Sequence, residues 1–164
     1  MAELTDWGRK LIEGRHYATL ATQDADGSLH LTPVWYLYRD GQLYVGANSA
    51  SRKVRNAIAR PTASLVVDVR IPGGERWVSG LGPVTILRGA ESQKINAAIQ
   101  ERYLTPEALR DPRIGPVFAA ADDVTLCIRP ERWRSWAGAD LDAQFFGGIL
   151  GTAPERWFRP VDPA

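Results

Sequence analysis

Apolar and polar positions alternate along most of this chain in short runs bounded by turn residues, the signature of half-buried strands. Six such runs are read: His16–Thr22, Leu29–Tyr38, Gln42–Gly46, Thr62–Val69, Glu75–Leu87 and Val124–Trp136. Asp24-Ala-Asp-Gly27 turns the first run back onto the second, and Asp40-Gly41 is the strongest two-residue hairpin signal. Pro33 and Pro130 interrupt their runs, because proline cannot donate to a ladder and marks an edge or a bulge. Helical spacing replaces alternation in three places. Thr5 to Glu13 sets Trp7, Leu11 and Ile12 on one side; Asn48 to Pro61 is basic; Glu91 to Tyr103 repeats through Ile95, Ala98, Ile99 and Arg102. Thr105-Pro-Glu starts a further short helix. Strands joined by tight turns pair antiparallel, so a small six-stranded β-barrel with helices packed outside is expected.

The basic helix is the unusual element. Ser49 or Ser51 reads as its cap, Arg52, Lys53 and Arg55 follow at once, and no acidic residue lies between positions 41 and 67. A helix start favours acidic side chains, so cations there oppose the dipole unless an anion docks at that end. Such an anion would meet free backbone N–H groups as well as side chains.

Composition narrows the classes further. A net charge of +1 argues against general polyanion binding, and a single cysteine, Cys127, excludes an internal disulfide or a multi-cysteine metal site. His16 and His30 are too few for a histidine-rich metal centre, and no metal is expected. No serine occupies a nucleophile elbow, Asp24 and Asp26 belong to a turn, and neither a dinucleotide-binding glycine fingerprint nor a phosphate loop is present. No run is long and apolar enough to span a bilayer, so a cytoplasmic protein is expected. Chemistry here would therefore be carried by a cofactor that the protein binds and orients. Six tryptophans are available to pack a core, a planar ligand or a subunit interface.

These residues resemble a known family. Ala18-Thr-Leu-Ala-Thr22 with Asp26-Gly27, Leu31-Thr-Pro-Val-Trp-Tyr36, Ser51-Arg-Lys-Val-Arg-Asn56 with Arg60-Pro61, Trp77-Val-Ser-Gly-Leu-Gly-Pro-Val84 and Arg129-Pro-Glu-Arg-Trp-Arg-Ser-Trp136 are similar, in that order, to the pyridoxamine 5'-phosphate oxidase-like split β-barrels, a superfamily of flavin and deazaflavin oxidoreductases. The resemblance implies an FMN-binding type of split barrel over residues 1–140, with 141–164 as a C-terminal extension on the barrel or the dimer interface. It implies a homodimer with cofactor at the subunit interface. Ser51, Arg52 and Lys53 would bind the cofactor phosphate, with Arg55 and Asn56 close by. Thr32, Pro33, Val34 and Trp35 would line the ring, Trp77 and Ser79 would approach from a neighbouring strand, and Trp136 would come from the partner subunit.

Within the family, true pyridoxamine phosphate oxidases carry an Arg-x-His element near the C-terminus. This chain has no histidine after His30. The Thr-x-Trp-Tyr strand and the Arg-Ser-Trp end resemble the branch that uses the deazaflavin coenzyme F420, whose glutamyl tail runs past the phosphate toward further cations such as Arg55, Arg60, Arg9 or Lys10. The expectation is hydride transfer between reduced F420 and an unsaturated small molecule, with Tyr36, Tyr38 or solvent as proton source. FMN-dependent oxidoreduction is the alternative, and a non-catalytic cofactor or haem carrier using His16 or His30 is a third reading. The acceptor leaves no motif.

Overall fold

The computed structural model describes residues 4–162. Eight strands are present: β1 (Ala18–Gln23), β2 (Leu29–Val34), β3 (Leu37–Arg39), β4 (Gln42–Ala47), β5 (Thr62–Val69), β6 (Arg76–Leu87), β7 (Val124–Ile128) and β8 (Arg132–Ala137). All pairings are antiparallel, in the order β2-β1-β5-β6-β7-β4-β3, with β8 added alongside β6. The expected split barrel is present, but with eight strands rather than six. Two of the six runs break in the middle. Leu29–Tyr38 leaves the ladder at Trp35-Tyr36, so β2 pairs with β1 while β3 pairs with β4 at the opposite end of the sheet order. Val124–Trp136 breaks at Arg129–Glu131 around Pro130, which has no N–H for a ladder.

The β3–β4 hairpin forms as its turn chemistry dictates. Asp40 and Gly41 both have positive φ, 52° and 76°, as a two-residue turn matching strand twist requires. The long β6 joins the halves of the barrel. Its first part pairs with β5 and β8, and Val84–Leu87 pair with β7. Gly82 lies where they meet, with the Arg129 carbonyl oxygen only 2.0 Å from where a Cβ would stand.

Eight helices are described: α1 (Asp6–Glu13), α2 (Arg52–Ala59), α3 (Gly89–Tyr103), α4 (Pro106–Arg110), α5 (Gly115–Ala121), α6 (Gly138–Phe145), α7 (Ile149–Thr152) and α8 (Pro154–Trp157). Gly115–Ala121 and the three helices after Ala137 carry too little apolar periodicity to be read from sequence. Asp142 of α6 ties α7 to it, its buried carboxylate accepting from the Leu150 and Gly151 N–H groups at 3.1 and 2.8 Å, and Trp157 Nε1 of α8 donates to the Ile149 carbonyl at 3.1 Å.

The core fills the barrel with Leu20, Leu43, Val45, Leu65, Val67, Val78, Leu126 and Ile128, sealed by Leu11 and Ile12 of α1 and Val54 of α2. Each large side chain buried this completely contributes about 1.5–3 kcal/mol. Every residue of β7 is buried, because α3 covers it on one side and the barrel interior lies on the other. The contact between α3 and β7 is polar. Ser92 Oγ and Thr125 Oγ1 are 2.8 Å apart, Thr125 Oγ1 donates to Asn96 Oδ1 at 2.7 Å, and Asn96 Nδ2 donates to the Asp122 and Val124 carbonyls at 2.9 and 3.1 Å.

Candidate functional site

A cavity of about 350 Å³ opens beside the break between β2 and β3. Pro33, Val34 and Trp35 form one wall, Gly46 of β4 the floor, Lys53 of α2 one end, and Phe118, Ala121 and Asp122 the side toward α5. Tyr17 and Ile99 complete it. The size suits a small organic ligand or part of a cofactor. Trp35 stacks on Tyr103 with centroids 5.1 Å apart and planes within 2°, and on Phe118 at 5.2 Å and 22°. The Tyr103 hydroxyl donates to the His16 carbonyl at 2.6 Å, which fixes this aromatic wall to the chain entering β1.

Lys53 reaches the cavity from the first turn of α2, whose start lies beside it in the chain. Ser51 is the N-cap by backbone conformation, yet its hydroxyl caps nothing. In α1 and α4, by contrast, Thr5 and Thr105 each accept from an N–H three residues on, at 3.1 Å. The Ser51 Oγ is fully buried without a partner among the described residues. Ser49 is drawn elsewhere: its N–H and hydroxyl both reach the Asp123 carboxylate at 2.6 Å.

The cations of this helix separate into different roles. Arg52 holds Asp24 in a two-pronged bond, Nε to Oδ1 and Nη2 to Oδ2, both 2.8 Å. Asn56 is buried and donates to the same carboxylate at 2.9 Å and to Thr22 Oγ1 at 3.3 Å. Together these donors pull the Asp24 carboxyl down to about 2. Arg55 bonds the Ala50 carbonyl, and Arg60 Nε donates to the Gln23 carbonyl at 2.7 Å. Lys53 has no ion pair among the described residues and lines the cavity.

Of the residues singled out in the sequence, the structure brings Pro33, Val34, Trp35 and Lys53 into one cavity. Thr32, on β2 just before them, is not among the lining residues; its hydroxyl lies 3.0 Å from His30 Nε2. Arg52 and Asn56 buttress the helix through Asp24. Trp77 and Ser79 lie elsewhere, with Val66 and Asp68 around a second cavity of about 380 Å³ that shares no residue with the first. Trp136 stands opposite Trp77 in the β6–β8 register and is 41% exposed. The proposed proton sources also separate from the cavity. Tyr36 is wholly buried with its hydroxyl donating to Ile12 O at 2.8 Å, and burial drives its ionisation far up. The Tyr38 hydroxyl accepts from Arg9 at 3.5 Å. Neither His16 nor His30 lines the cavity. Burial, then Arg76 and Arg102, lowers the affinity of His16 for a proton.

Sequence reading missed Tyr17, Gly46, Phe118 and Asp122. Asp122 is the consequential one. Its carboxyl sits in the space a side chain on residue 46 would fill: a Cβ there would lie 2.9 Å from Asp122 Oδ2 and 3.1 Å from Asn96 Oδ1. Burial raises the Asp122 pKa, Lys53 opposes that rise, and Asp123 adds to it. The only cue was an acidic pair placed just before an apolar strand, which is also how any loop ends.

A comparison with curated proteins gave no match. Among solved structures, the conserved hypothetical protein Rv2991 from Mycobacterium tuberculosis shares 26% identity over 85% of this chain and 88% of its own, with a TM-score of 0.69. An F420 reductase has 24% identity over 77% of this chain and 94% of its own, TM-score 0.59. HutZ, the haem storage protein of Vibrio cholerae, has 15% identity over 83% and 95%, TM-score 0.61. No helix among the described residues is long and apolar enough to cross a membrane. The family model for pyridoxamine 5'-phosphate oxidase matches residues 4–137, from α1 to the end of β8, and the chain belongs to that family.

Proposed function

We propose that this protein is an oxidoreductase that binds coenzyme F420 and passes hydride between the reduced deazaflavin and an unsaturated small-molecule acceptor. The observation that carries this reading is the pairing of an uncapped helix start, with the buried and unpartnered Ser51 hydroxyl, and an unpaired Lys53 at the end of an aromatic cavity. A buried hydroxyl without a partner is costly, and a phosphate oxygen supplies the missing acceptor. Ser51, Lys53 and the first N–H groups of α2 would hold the phosphate; Pro33, Val34 and Trp35 would hold the ring. When bound, the deazaflavin supplies a two-electron hydride donor. The protein's own part is to fix the ring against the β2 wall and keep water from its face. Arg55 remains near the helix start for the glutamyl tail.

The same fold serves an F420 reductase and a haem storage protein, so the choice rests on residues of this chain. A cavity without histidine disfavours haem, and the missing C-terminal Arg-x-His disfavours pyridoxamine phosphate as substrate. FMN is the second reading, since its ring and phosphate use the same groups. A homodimer, with Trp77, Ser79 and Trp136 of one protomer completing the site of the other, belongs to the same proposal; these residues lie on a sheet face that is only half covered within one protomer.

Titration of the purified protein with F420, FMN and haemin, followed by absorbance and fluorescence, tests the reading. F420 should bind with micromolar affinity or better, and Lys53→Ala should weaken it roughly tenfold to a hundredfold, 1.4–2.8 kcal/mol. A Soret band from haemin binding with no affinity for either flavin, or equal F420 affinity in wild type and a Ser51→Ala/Lys53→Ala protein, refutes it.

A further inference from the structure

Two adjacent carboxylates, Asp122 and Asp123, have been given opposite surroundings. Asp123 accepts two short bonds from Ser49 and is held ionised, its carboxyl pulled below the usual range first by the Ser49 hydroxyl and then by the Ser49 N–H. The Asp122 carboxyl accepts no hydrogen bond and makes no ion pair among the described residues, although its backbone carbonyl is fixed by Asn96. It faces the cavity from the end of α5, while Lys53 faces the same cavity from α2. The glycine at position 46 leaves the space this carboxyl occupies. A carboxyl built only to neutralise Lys53 would contact it; these two share a cavity without closing a salt bridge. Carboxyl groups whose environments push them apart in this way mark a division of labour, one structural and one directed at a ligand.

We propose that Asp122 sets the charge of the anion that Lys53 accepts, shifting its selectivity away from a doubly charged phosphate monoester and toward a singly charged phosphodiester. This rests on the reading of the cavity as the seat of a ring-bearing phosphate. The charges facing the anion are Lys53 from α2 and Asp122 at the end of α5. Asp123 lies behind, tied to Ser49; Arg52 is engaged by Asp24 and Arg55 by a carbonyl; Tyr17, Asn96 of α3 and Gly46 of β4 bring no charge at neutral pH. The attraction of Lys53 doubles from a monoanion to a dianion and the repulsion of an ionised Asp122 doubles with it, so Asp122 offsets the advantage that Lys53 alone would give the dianion. Where Asp122 instead takes up a proton on binding, its raised pKa makes that step easier, and binding becomes coupled to pH. A deazaflavin phosphate that continues into a glutamyl tail is a diester; FMN is a monoester whose second ionisation lies near pH 6. Asp122 thus discriminates between the two cofactors that fit the aromatic wall equally well.

The test uses three probes with one ring: FMN, its methyl phosphodiester, and riboflavin, each titrated into full-length protein by flavin fluorescence at pH 8 and pH 5. The expected result is that wild type binds the methyl diester and FMN within about threefold of each other at pH 8. Asp122→Asn, close in shape, should raise diester affinity about threefold and FMN affinity about tenfold at pH 8, so that FMN becomes the preferred ligand, and this gain should vanish at pH 5, where FMN carries one charge. An FMN-to-diester affinity ratio at pH 8 that is the same in wild type and Asp122→Asn overturns the proposal. Should Asp122→Asn fail to fold, Asp122→Ala is read by the same ratio. A ligand-free readout separates this from the cofactor reading: carbon NMR of the Asp122 carboxyl should show its titration moving upward in Lys53→Met. No movement means the two groups do not act on one another, and the proposal falls. If riboflavin, FMN and the diester bind alike in both proteins while that NMR coupling is present, the phosphate reading itself fails, and the selectivity proposal fails with it.

Discussion

Asn96 is the joint between the core and the site, and replacing it with alanine has a calculable cost. Its side chain is 3% exposed, gives two hydrogen bonds to the carbonyls of Asp122 and Val124 at 2.9 and 3.1 Å, and accepts one from Thr125 at 2.7 Å. Three bonds at about 1 kcal/mol each give roughly 3 kcal/mol, and buried groups left without partners push the figure upward. Leaving the carbonyls at the α5–β7 junction without this amide, Asn96→Ala should cost about 2–4 kcal/mol. Urea unfolding followed by tryptophan fluorescence reads this as a lower midpoint with an unchanged slope. At roughly 2–4 °C per kcal/mol for a domain of this size, the melting temperature falls by about 5–15 °C. Ser92→Ala, which removes the contact with Thr125 at 2.8 Å and a long bond from Asn96 at 3.4 Å, should cost about 1 kcal/mol and serves as the internal scale. A loss below about 1 kcal/mol for Asn96→Ala, or equal losses for the two variants, would show that this network does not hold the α3–β7 contact together. The same substitution frees the backbone of Asp122, so ligand affinity should drop alongside stability, whereas Ser92→Ala should leave affinity nearly intact.

Acid stability should report on the Arg52–Asp24 pair. Arg52 first and Asn56 second hold the Asp24 carboxyl down to about 2 from its ordinary value near 3.8, so the ionised form stabilises the fold above pH 4 and this contribution disappears as pH falls from about 4 to about 2. Melting temperatures between pH 5 and pH 2 should fall more steeply for wild type than for Arg52→Met, and parallel curves would contradict the assignment. Gly82→Ala should be among the most damaging single changes, at least about 4 kcal/mol, because the new Cβ meets the Arg129 carbonyl at 2.0 Å and both partners are backbone. Gly41→Ala, at φ 76° with nothing within 4 Å, should cost only about 1–2 kcal/mol by comparison of midpoints.

Short runs bounded by turn residues were enough to cover every strand: those with one buried face, such as β4 and β6, carry period two, while β7 is buried throughout. What they could not supply was where strands end within a continuous run. Trp35 and Tyr36 are strong strand formers in isolation; they leave the ladder because β2 and β3 belong to opposite ends of the sheet order. That reversal is set by partners far away in sequence. The basic helix start was legible as an electrostatic anomaly, yet sequence could not sort its cations. Arg52 and Lys53 are neighbours, and a rotation of about 100° per residue is all that sends one toward Asp24 and the other into the cavity. Asp122 was illegible for a related reason: its significance depends on the empty space above Gly46, a property of packing between β4 and α3.

The position of β7 in the chain has a consequence for how the molecule comes into being. The two strands within each of the hairpins β1–β2, β3–β4 and β5–β6 are close in sequence, so each can zip as soon as it is made. The two halves of the barrel cannot be joined until Val124–Ile128 arrive to pair with both β4 and β6, some eighty and forty residues behind them. Pairing of β1 with β5 joins two of the hairpins early, but the β2-β1-β5-β6 sheet and the β3–β4 hairpin remain apart with open apolar faces, waiting on one five-residue strand. Closure is governed by long-range pairing, which makes folding slow relative to hairpin formation and exposes the growing chain to self-association until β7 is released.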